Sequence, residues 1–366
     1  MSFNENGVRK LDFVITKSAT KQLRKDWKDY SKGIPTYPET FKGKGIVICG
    51  GGITYYTCAW IAIKMLRKKK CTLPIELWYI GKELNIELIA ELKKLNVRCV
   101  NSLDFDNNNF NGYALKPFSI IYSSFEEVIF LDADNICLKN IENLFEMNEY
   151  KETGAIFWPD YWKTAPDNPM WEIMGVNYTD MPEQESGQMV INKKTCWKPL
   201  NLCLYLNQRK NIYYKFIHGD KDTFRFSWLA LNKKFFMVKS KPDTCGFIDD
   251  EENFIGFTML QYSLTNEPLF LHRNLIKWDV TQNNEILWQK IKRFGNDSQN
   301  KIYKIRFSYK NNYYYMDFQG DYEELDFQDT IGDIEVQCLT ILRKLRKKKI
   351  YIDYFINEYI RNKRNL

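Results

Sequence analysis

Strand-like and helix-like segments alternate between residues 43 and 134, and this alternation limits the possible folds more than any other feature. Short apolar segments rich in β-branched residues predict strands, and longer segments with one apolar face predict helices. The predicted strands are 45–49, 74–80, 97–100 and 128–131, and the predicted helices are 57–68, 85–95 and 114–124. Such alternation is typical of a doubly wound, mostly parallel sheet flanked by helices, so we predict an α/β fold.

Two aspartates, Asp132 and Asp134, follow the predicted strand 128–131 with one residue between them. Side chains two apart on an extended backbone point the same way, and neighbouring carboxylates repel unless a cation lies between them. Such an oxygen pair suits Mg²⁺ or Mn²⁺, which usually complete their shell with substrate phosphates. The pair therefore predicts a metal-bridged nucleotide diphosphate, although a solvated turn is the more common explanation of two such acids alone.

The cysteines and the N-terminus bear on the cellular compartment. Nine cysteines are scattered without a CxxC pair, which indicates reduced thiols rather than a zinc site or a disulfide frame. The N-terminal residues are polar and charged, and no apolar stretch is long enough to span a bilayer, so we expect a cytoplasmic protein. The net charge of +7 suits a phosphate-bearing small molecule as well as it suits nucleic acid or anionic lipid.

The composition divides the chain into three segments. Residues 1–42 form a charged extension, residues 43–280 carry the α/β pattern, and residues 281–366 form a C-terminal α+β extension. In the last segment, 302–316 predicts a strand pair around 310–312, and 334–360 predicts a helix with basic residues at 343–349. This basic amphipathic helix is either a solvated face or a weak contact with a membrane surface or an acidic partner.

The second histidine of the chain lies in an unusual local sequence. His272 ends an apolar segment, and Lys277 follows five residues later. An imidazole can supply a third metal ligand beside two carboxylates, and a lysine can bind a diphosphate as a point charge. A lone histidine is more often a buried core residue, but the Asp132–Asp134 pair makes the two interpretations equally plausible.

Two polar segments, 183–192 and 218–222, bring carboxylates, a hydroxyl and amides close to predicted strands and helices. A sugar needs such groups, because each hydroxyl must find a hydrogen-bond partner when it leaves water. The alternative for both segments is a loop with helix caps, since Asp is a favoured N-cap residue.

Together and in this order, these segments resemble the retaining glycosyltransferases of GT-A fold, and most closely the fungal-type α-mannosyltransferases, which share a plan with glycogenin and bacterial lipooligosaccharide galactosyltransferases. The resemblance runs from residue 43 to about residue 278. It rests on GKGIVICGGG, CTLPIELWYIG, YALKPFSIIYSSFEEVIFLDADN, ETGAIFWPDYW, ESGQMVIN, HGDKDTFRFSW and FLHRNLIKW. It implies a GT-A catalytic domain at 43–280 and a Mn²⁺ or Mg²⁺ cofactor.

The resemblance also implies roles for individual residues. Asp132 and Asp134 would hold the metal and the donor, His272 would complete the metal shell, and Lys277 would bind the diphosphate. The further implied contacts are Gly50, Gly51 and Gly52 with the nucleoside, Lys116 with the donor phosphate or sugar, Gln188 with the donor, and Asp220 and Asp222 with sugar hydroxyls.

The implied reaction moves a hexose from a nucleotide diphosphate to a hydroxyl of a glycan or glycoprotein acceptor, with retention of configuration. Mannose from GDP-mannose is the first expectation, and a UDP-sugar is the alternative. Retention requires either a same-face attack assisted by the diphosphate or a carboxylate nucleophile, for which Glu185 is the candidate, with Asp222 second. Asp220-Lys221 stands where glycogenin-type enzymes usually carry Asp-Gln, which favours the mannosyltransferase branch.

Three other classes of protein fit these residues less well. A nucleotidyltransferase would also need acids and a metal, but the glycine turn at 50–52 lacks the basic residues of a phosphate loop. Nucleic acid is not expected as a partner, because the basic residues cluster near the end of the chain instead of interleaving with aromatic residues. A carbohydrate-binding module would have no use for paired aspartates.

Overall fold

The computed structural model describes residues 2–3, 7–105, 112–310 and 312–364. The strands are β1 (Ser2–Phe3), β2 (Val8–Lys10), β3 (Lys44–Cys49), β4 (Ile75–Tyr79), β5 (Val97–Asn101), β6 (Glu127–Asp132), β7 (Asn135–Cys137), β8 (Ala155–Pro159), β9 (Lys163–Thr164), β10 (Gln184–Asn192), β11 (Phe236–Met237), β12 (Asp243–Ile248), β13 (Phe254–Tyr262), β14 (Pro268–His272), β15 (Lys290–Phe294), β16 (Lys301–Ser308), β17 (Tyr313–Gly320) and β18 (Tyr322–Asp326). The helices are α1 (Lys17–Lys32), α2 (Gly52–Lys68), α3 (Ile86–Lys93), α4 (Leu115–Tyr122), α5 (Asn148–Thr153), α6 (Pro169–Met174), α7 (Trp197–Gln208), α8 (Lys210–Tyr213), α9 (Lys221–Ala230), α10 (Phe327–Ile331), α11 (Ile334–Arg346) and α12 (Lys349–Arg364).

The chain forms two compact units, each built from separate stretches of sequence. The first unit comprises Met1–Val47, Phe105–Phe130 and Glu142–Lys241, and the second comprises Ile48–Asp104, Leu131–Ile141 and Pro242–Leu366. The boundaries of these units differ from the boundaries at residues 42 and 280 that the composition predicts. The division at residues 42 and 280 stays a prediction.

In the first unit, strands β11, β8, β10 and β6 lie in this order. Strand β8 pairs parallel with β11 and antiparallel with β10, so the sheet is mixed. Helix α1 lies within the segment expected to be a charged extension. Thr16 caps the N-terminus of α1, because its hydroxyl accepts a hydrogen bond from the Ala19 backbone N–H at 3.2 Å. The helix buries Trp27 in an apolar cluster with residues of α6, α7 and α9.

In the second unit, β4 and β5 pair in parallel, and α2 and α3 carry the apolar faces that the sequence predicted. Strand β13 pairs antiparallel with β12, β14 and β17, and β14 pairs antiparallel with β7. This last pairing positions the candidate metal ligands, because β7 follows the two aspartates and β14 ends at His272. The α/β class predicted from the sequence is confirmed, with mixed sheets flanked by helices.

The C-terminal segment confirms one expectation and corrects another. Strands β16 and β17 form the predicted strand pair, although Asn311 of its turn lies outside the described residues. The single helix predicted over 334–360 is wrong, because the structure has two helices there: α11 ends at Arg346 and α12 begins at Lys349. None of the helices among the described residues combines the length and the apolar character that crossing a bilayer requires.

Candidate active site

Asp132, Asp134 and His272 lie together in the second unit. Asp132 ends β6, Asp134 lies in the turn before β7, and His272 stands opposite Asn135 in the β7–β14 pairing. The Nε2 atom of His272 lies 3.2 Å from Oδ1 of Asp134 and 3.7 Å from Oδ2 of Asp132. Strand pairing therefore joins two distant stretches of sequence at one point.

The donor atoms of these three side chains suit a divalent cation. One ligand atom from each residue lies within 4.8 Å of the other two. Asp134 and His272 are buried, whereas the side chain of Asp132 is 25% exposed. Two carboxylate oxygens and one imidazole nitrogen fit Mn²⁺, which accepts nitrogen as well as oxygen ligands, and they are also compatible with Mg²⁺.

Lys277 reaches the same carboxylate from the other side. Its ammonium group contacts Oδ2 of Asp134 and donates to the Asn274 carbonyl oxygen at 2.9 Å. Burial alone would raise the pKa of Asp134, but the charges of Lys277 and His272 hold it well below its usual value. Burial alone would lower the pKa of Lys277, but Asp134 holds it above its usual value. Both groups are therefore charged, and a fixed cation lies beside the candidate metal ligands.

Arg273 anchors the segment that carries Lys277, a role that the sequence analysis missed. Its fully buried guanidinium donates to Glu335 at 3.0 Å, to the Thr281 hydroxyl at 2.8 Å and to the Ile276 carbonyl at 2.7 Å. It also lies 3.9 Å from the ring centroid of Trp278. The available signal was a charged residue just after the apolar run 269–271, but no feature of the sequence indicated its partner.

The glycine turn at 50–52 is also in the second unit and is tightly held. Gly52 begins α2 with a φ of +68°, in the left-handed region that favours glycine. A Cβ at Gly51 would lie 2.0 Å from a carboxylate oxygen of Glu83, and that oxygen accepts a hydrogen bond from the Ile80 N–H at 2.7 Å. The turn thus needs glycine for close packing, and its expected contact with the nucleoside stays a prediction.

In the first unit, Lys116, Ser186 and Asp220 form a buried polar cluster. The Lys116 ammonium lies 2.8 Å from the Ser186 hydroxyl and 3.2 Å from Oδ2 of Asp220, to which Ser186 donates at 2.9 Å. Glu185 accepts a hydrogen bond from the Gly187 N–H at 2.8 Å, and Gln188 is buried in β10. The structure thus brings Lys116 and Asp220 together and places Glu185 and Gln188 on one irregular strand, which has a bulge between Glu185 and Met189.

Asp222 has a different environment from the one expected of a group that binds sugar hydroxyls. Its Oδ1 accepts hydrogen bonds from the Arg225 guanidinium at 2.8 Å and from the Gln184 N–H at 3.2 Å. Burial raises the pKa of Asp222 to about 6. Its neighbour Lys221 contacts Asp160 and lies 3.0 Å from Glu183. Lys221, which stands where glycogenin-type enzymes usually carry Gln, therefore belongs to a buried charge network.

Comparison with known proteins gives sequence matches and structural likenesses. Residues 43–184 and 176–267 match the model of the mannosyltransferase family Mannosyl_trans3. The alpha-1,2-mannosyltransferase MNN5 of Saccharomyces cerevisiae is 29% identical over 300 residues, covering 64% of this chain and 51% of the relative. The alpha-1,2-mannosyltransferase MNN21 of Candida albicans is 33% identical over 261 residues, covering 54% and 39%. The glycosyltransferase GlyE of Streptococcus pneumoniae has 14% identity and a TM-score of 0.38, covering 54% of this chain and 46% of that chain.

The chain belongs to the mannosyltransferase family Mannosyl_trans3, because the family match spans more than half of its residues. This membership confirms the resemblance to fungal-type mannosyltransferases. The chain spans about half the length of the first curated relatives that it matches. The family match ends at residue 267, so His272, Lys277 and the C-terminal strands and helices lie beyond it.

Proposed function

We propose that this protein transfers mannose from GDP-mannose to a hydroxyl of a glycan or glycoprotein acceptor. The observation that carries the proposal is the meeting of Asp132, Asp134 and His272 within 4.8 Å in a member of a mannosyltransferase family. These residues would hold Mn²⁺ or Mg²⁺, which when bound offsets the negative charge of a diphosphate leaving group. Lys277 would add a second positive charge at the same place, since it is already fixed against Asp134.

The other implied roles are proposed residue by residue. Gly50, Gly51 and Gly52 would let the nucleoside approach the backbone closely, because they carry no side chain. Lys116 and Gln188 would contact the donor. Each of these roles can be tested by replacing the residue concerned and measuring transfer, because none of these residues is a candidate metal ligand.

We further propose that transfer retains the anomeric configuration, with Glu185 as the carboxylate nucleophile. The Gly187 N–H donates to the Glu185 carboxylate at 2.8 Å, which fixes the direction of that carboxylate. In a Glu185→Gln variant the side-chain amide cannot attack the anomeric carbon, so turnover should fall by at least about 10³-fold. Turnover close to that of the wild type would exclude the covalent route and favour a same-face attack. Asp220 would hold a sugar hydroxyl, and Asp222 would do so through Oδ2, since Arg225 and the Gln184 N–H already bond to its Oδ1.

The direct test is a transfer assay with purified protein, labelled GDP-mannose and a mannoside acceptor. We expect Mn²⁺-dependent transfer that is lost in excess EDTA and restored by added Mn²⁺. Asp134→Ala should abolish transfer, whereas Asp353→Ala, which removes an exposed carboxylate from α12, should not change it. Full activity in EDTA would refute the metal assignment. Transfer from a UDP-sugar but not from GDP-mannose would refute the donor, and release of pyrophosphate from a nucleoside triphosphate would indicate a nucleotidyltransferase.

A peripheral membrane contact through the C-terminal basic helices is a separate proposal about partners. Within the basic segment 343–349, some side chains bond to the protein: Arg343 to Asn284, Arg346 to the Asp279 carbonyl and Lys348 to Glu91. Lys344, Lys347 and Lys349 are exposed, and so are Ile352 and Phe355 of α12. Exposed cations beside exposed apolar groups suit an anionic lipid surface. Sedimentation with vesicles of anionic lipid, but not with neutral vesicles, would support this contact.

A further inference from the structure

The second unit contains an open groove that none of the roles discussed above uses. The groove has a volume of about 670 Å³, within the range of small-molecule sites. We call it the aromatic groove and define it by Phe247, Phe307, Tyr309, Tyr313, Asp249 and Asp250, which line it. Most of its rings come from β16, β17 and their turn, which lie beyond the residues that match the family.

One ring of the aromatic groove, that of Tyr309, is open to solvent, whereas Phe247, Phe307 and Tyr313 are half-buried. Tyr309 is 90% exposed, and its ring packs edge-on against Phe307 at a centroid distance of 5.0 Å. An exposed ring that is contiguous with further apolar surface marks a binding surface more often than an isolated exposed ring does. A sugar ring presents C–H groups on one face and hydroxyls around its edge, and a tyrosine can pack on the first and hydrogen-bond the second.

The charges of the groove determine which ligand is favourable. Four acidic residues and one basic residue line it, and the basic one, Lys310, lies 3.3 Å from Asp250. An excess of carboxylates repels phosphates and nucleotides, but carboxylates are good acceptors for hydroxyl groups. Asp249 is fixed in place, because it accepts hydrogen bonds from the backbone N–H groups of Glu251 at 2.9 Å and Asn253 at 2.8 Å.

One short segment of chain, 276–280, contributes residues both to the groove and to the surroundings of the candidate metal site. Lys277 in that segment contacts Asp134, whereas Ile276 and Val280 line the groove. Arg273 anchors the segment to α11. We propose that the aromatic groove binds a neutral oligosaccharide, the acceptor of the mannosyl transfer. This inference rests on the proposed function, because only that function requires a glycan beside this segment.

The test is direct binding of mannotriose to the full chain, measured by titration without any donor. We expect saturable binding by the wild type and a loss of about five- to tenfold in affinity for Tyr309→Ala, as expected for one ring stacked on a sugar. The matched control is Tyr314→Ala, because Tyr314 is in the same hairpin, is 59% exposed and packs on Phe307 at 4.9 Å, yet does not line the groove. The affinity of the Tyr314→Ala variant for mannotriose should match that of the wild type.

The outcomes separate this inference from the proposed function. Absence of saturable mannotriose binding, equal losses in the two tyrosine variants, or binding of a basic peptide instead of the trisaccharide would each overturn the groove assignment. Mn²⁺-dependent binding of GDP by the wild type is measured separately and tests only the donor site. Mannotriose binding that depends on Tyr309 would therefore support the groove even if GDP failed to bind.

Discussion

Replacing Arg273 should destabilise the protein far more than replacing a comparable arginine at the surface. The guanidinium of Arg273 is fully buried and lies 3.0 Å from Glu335. In Arg273→Met the apolar stem is largely kept, but the Glu335 carboxylate remains buried with only the N–H groups of Leu287 and Trp288 as partners, at 3.0 and 2.6 Å. Loss of one partner of a buried ion pair costs about 3–5 kcal/mol in the free energy of unfolding.

These costs are measured by urea unfolding of the wild type, of Arg273→Met and of Arg293→Met, which is the matched control. Arg293 also pairs with a glutamate, Glu323, at 2.8 Å, but the two side chains are 41% and 53% exposed, so its loss should cost less than about 1 kcal/mol. The cost of Arg273→Met should shrink at low pH, because burial already raises the pKa of Glu335 and the neutral acid needs no counter-charge. Equal costs for the two variants, or a cost that does not change with pH, would refute this reasoning.

Three further predictions concern other parts of the fold. Trp27→Ala removes a ring that is 3% exposed and should lower the free energy of unfolding by about 3–5 kcal/mol; a loss below about 1 kcal/mol would show that α1 is dispensable. Burial raises the pKa of Asp243 to about 7, so the stability of the wild type relative to Asp243→Asn should fall between about pH 4 and pH 7, by at most about 1.4 kcal/mol per pH unit; a flat or rising difference in pH-dependent urea unfolding would contradict this. Gly51→Ala places a Cβ 2.0 Å from Glu83 and should cost about 1–3 kcal/mol, whereas Gly33→Ala, where the nearest atom is 3.6 Å away, should cost clearly less; equal melting temperatures would contradict the crowding argument.

Local sequence patterns were sufficient to predict β6, the strand that ends at Asp132, but not the β7–β14 pairing that brings His272 beside it. The apolar run before Asp132 forms the buried strand β6, which ends at Asp132. It was predictable because a β-branched run followed by polar residues is a signal contained within a few neighbouring residues. The sequence analysis also predicted that His272 joins Asp132 and Asp134. The local sequence alone left a metal ligand and a buried core residue equally plausible for His272, and the resemblance decided between them, since nothing local indicates that β14 pairs with β7.

Long-range polar contacts were not predictable in this way. Arg9 lies 2.9 Å from Glu183, yet Arg9 lies in a segment that composition marks as a charged extension. The basic segment 343–349 looks like one solvated surface, yet Lys348 contacts Glu91 and Arg346 donates to a carbonyl in another segment. Charged side chains carry no sequence signal that distinguishes a buried partner from water, because the partner is fixed only by the tertiary fold.

The central claim is that Asp132, Asp134 and His272 hold a divalent ion to which a nucleotide diphosphate binds. Calorimetric titration of GDP into the protein, with Mn²⁺ and with EDTA, tests this claim most directly, because it requires neither acceptor nor turnover. We predict saturable GDP binding with Mn²⁺ that is lost in EDTA and weakened at least about tenfold in His272→Ala and Asp134→Asn, a loss of about 1.4 kcal/mol or more. GDP binding of equal strength in EDTA, or in both variants, would contradict the account.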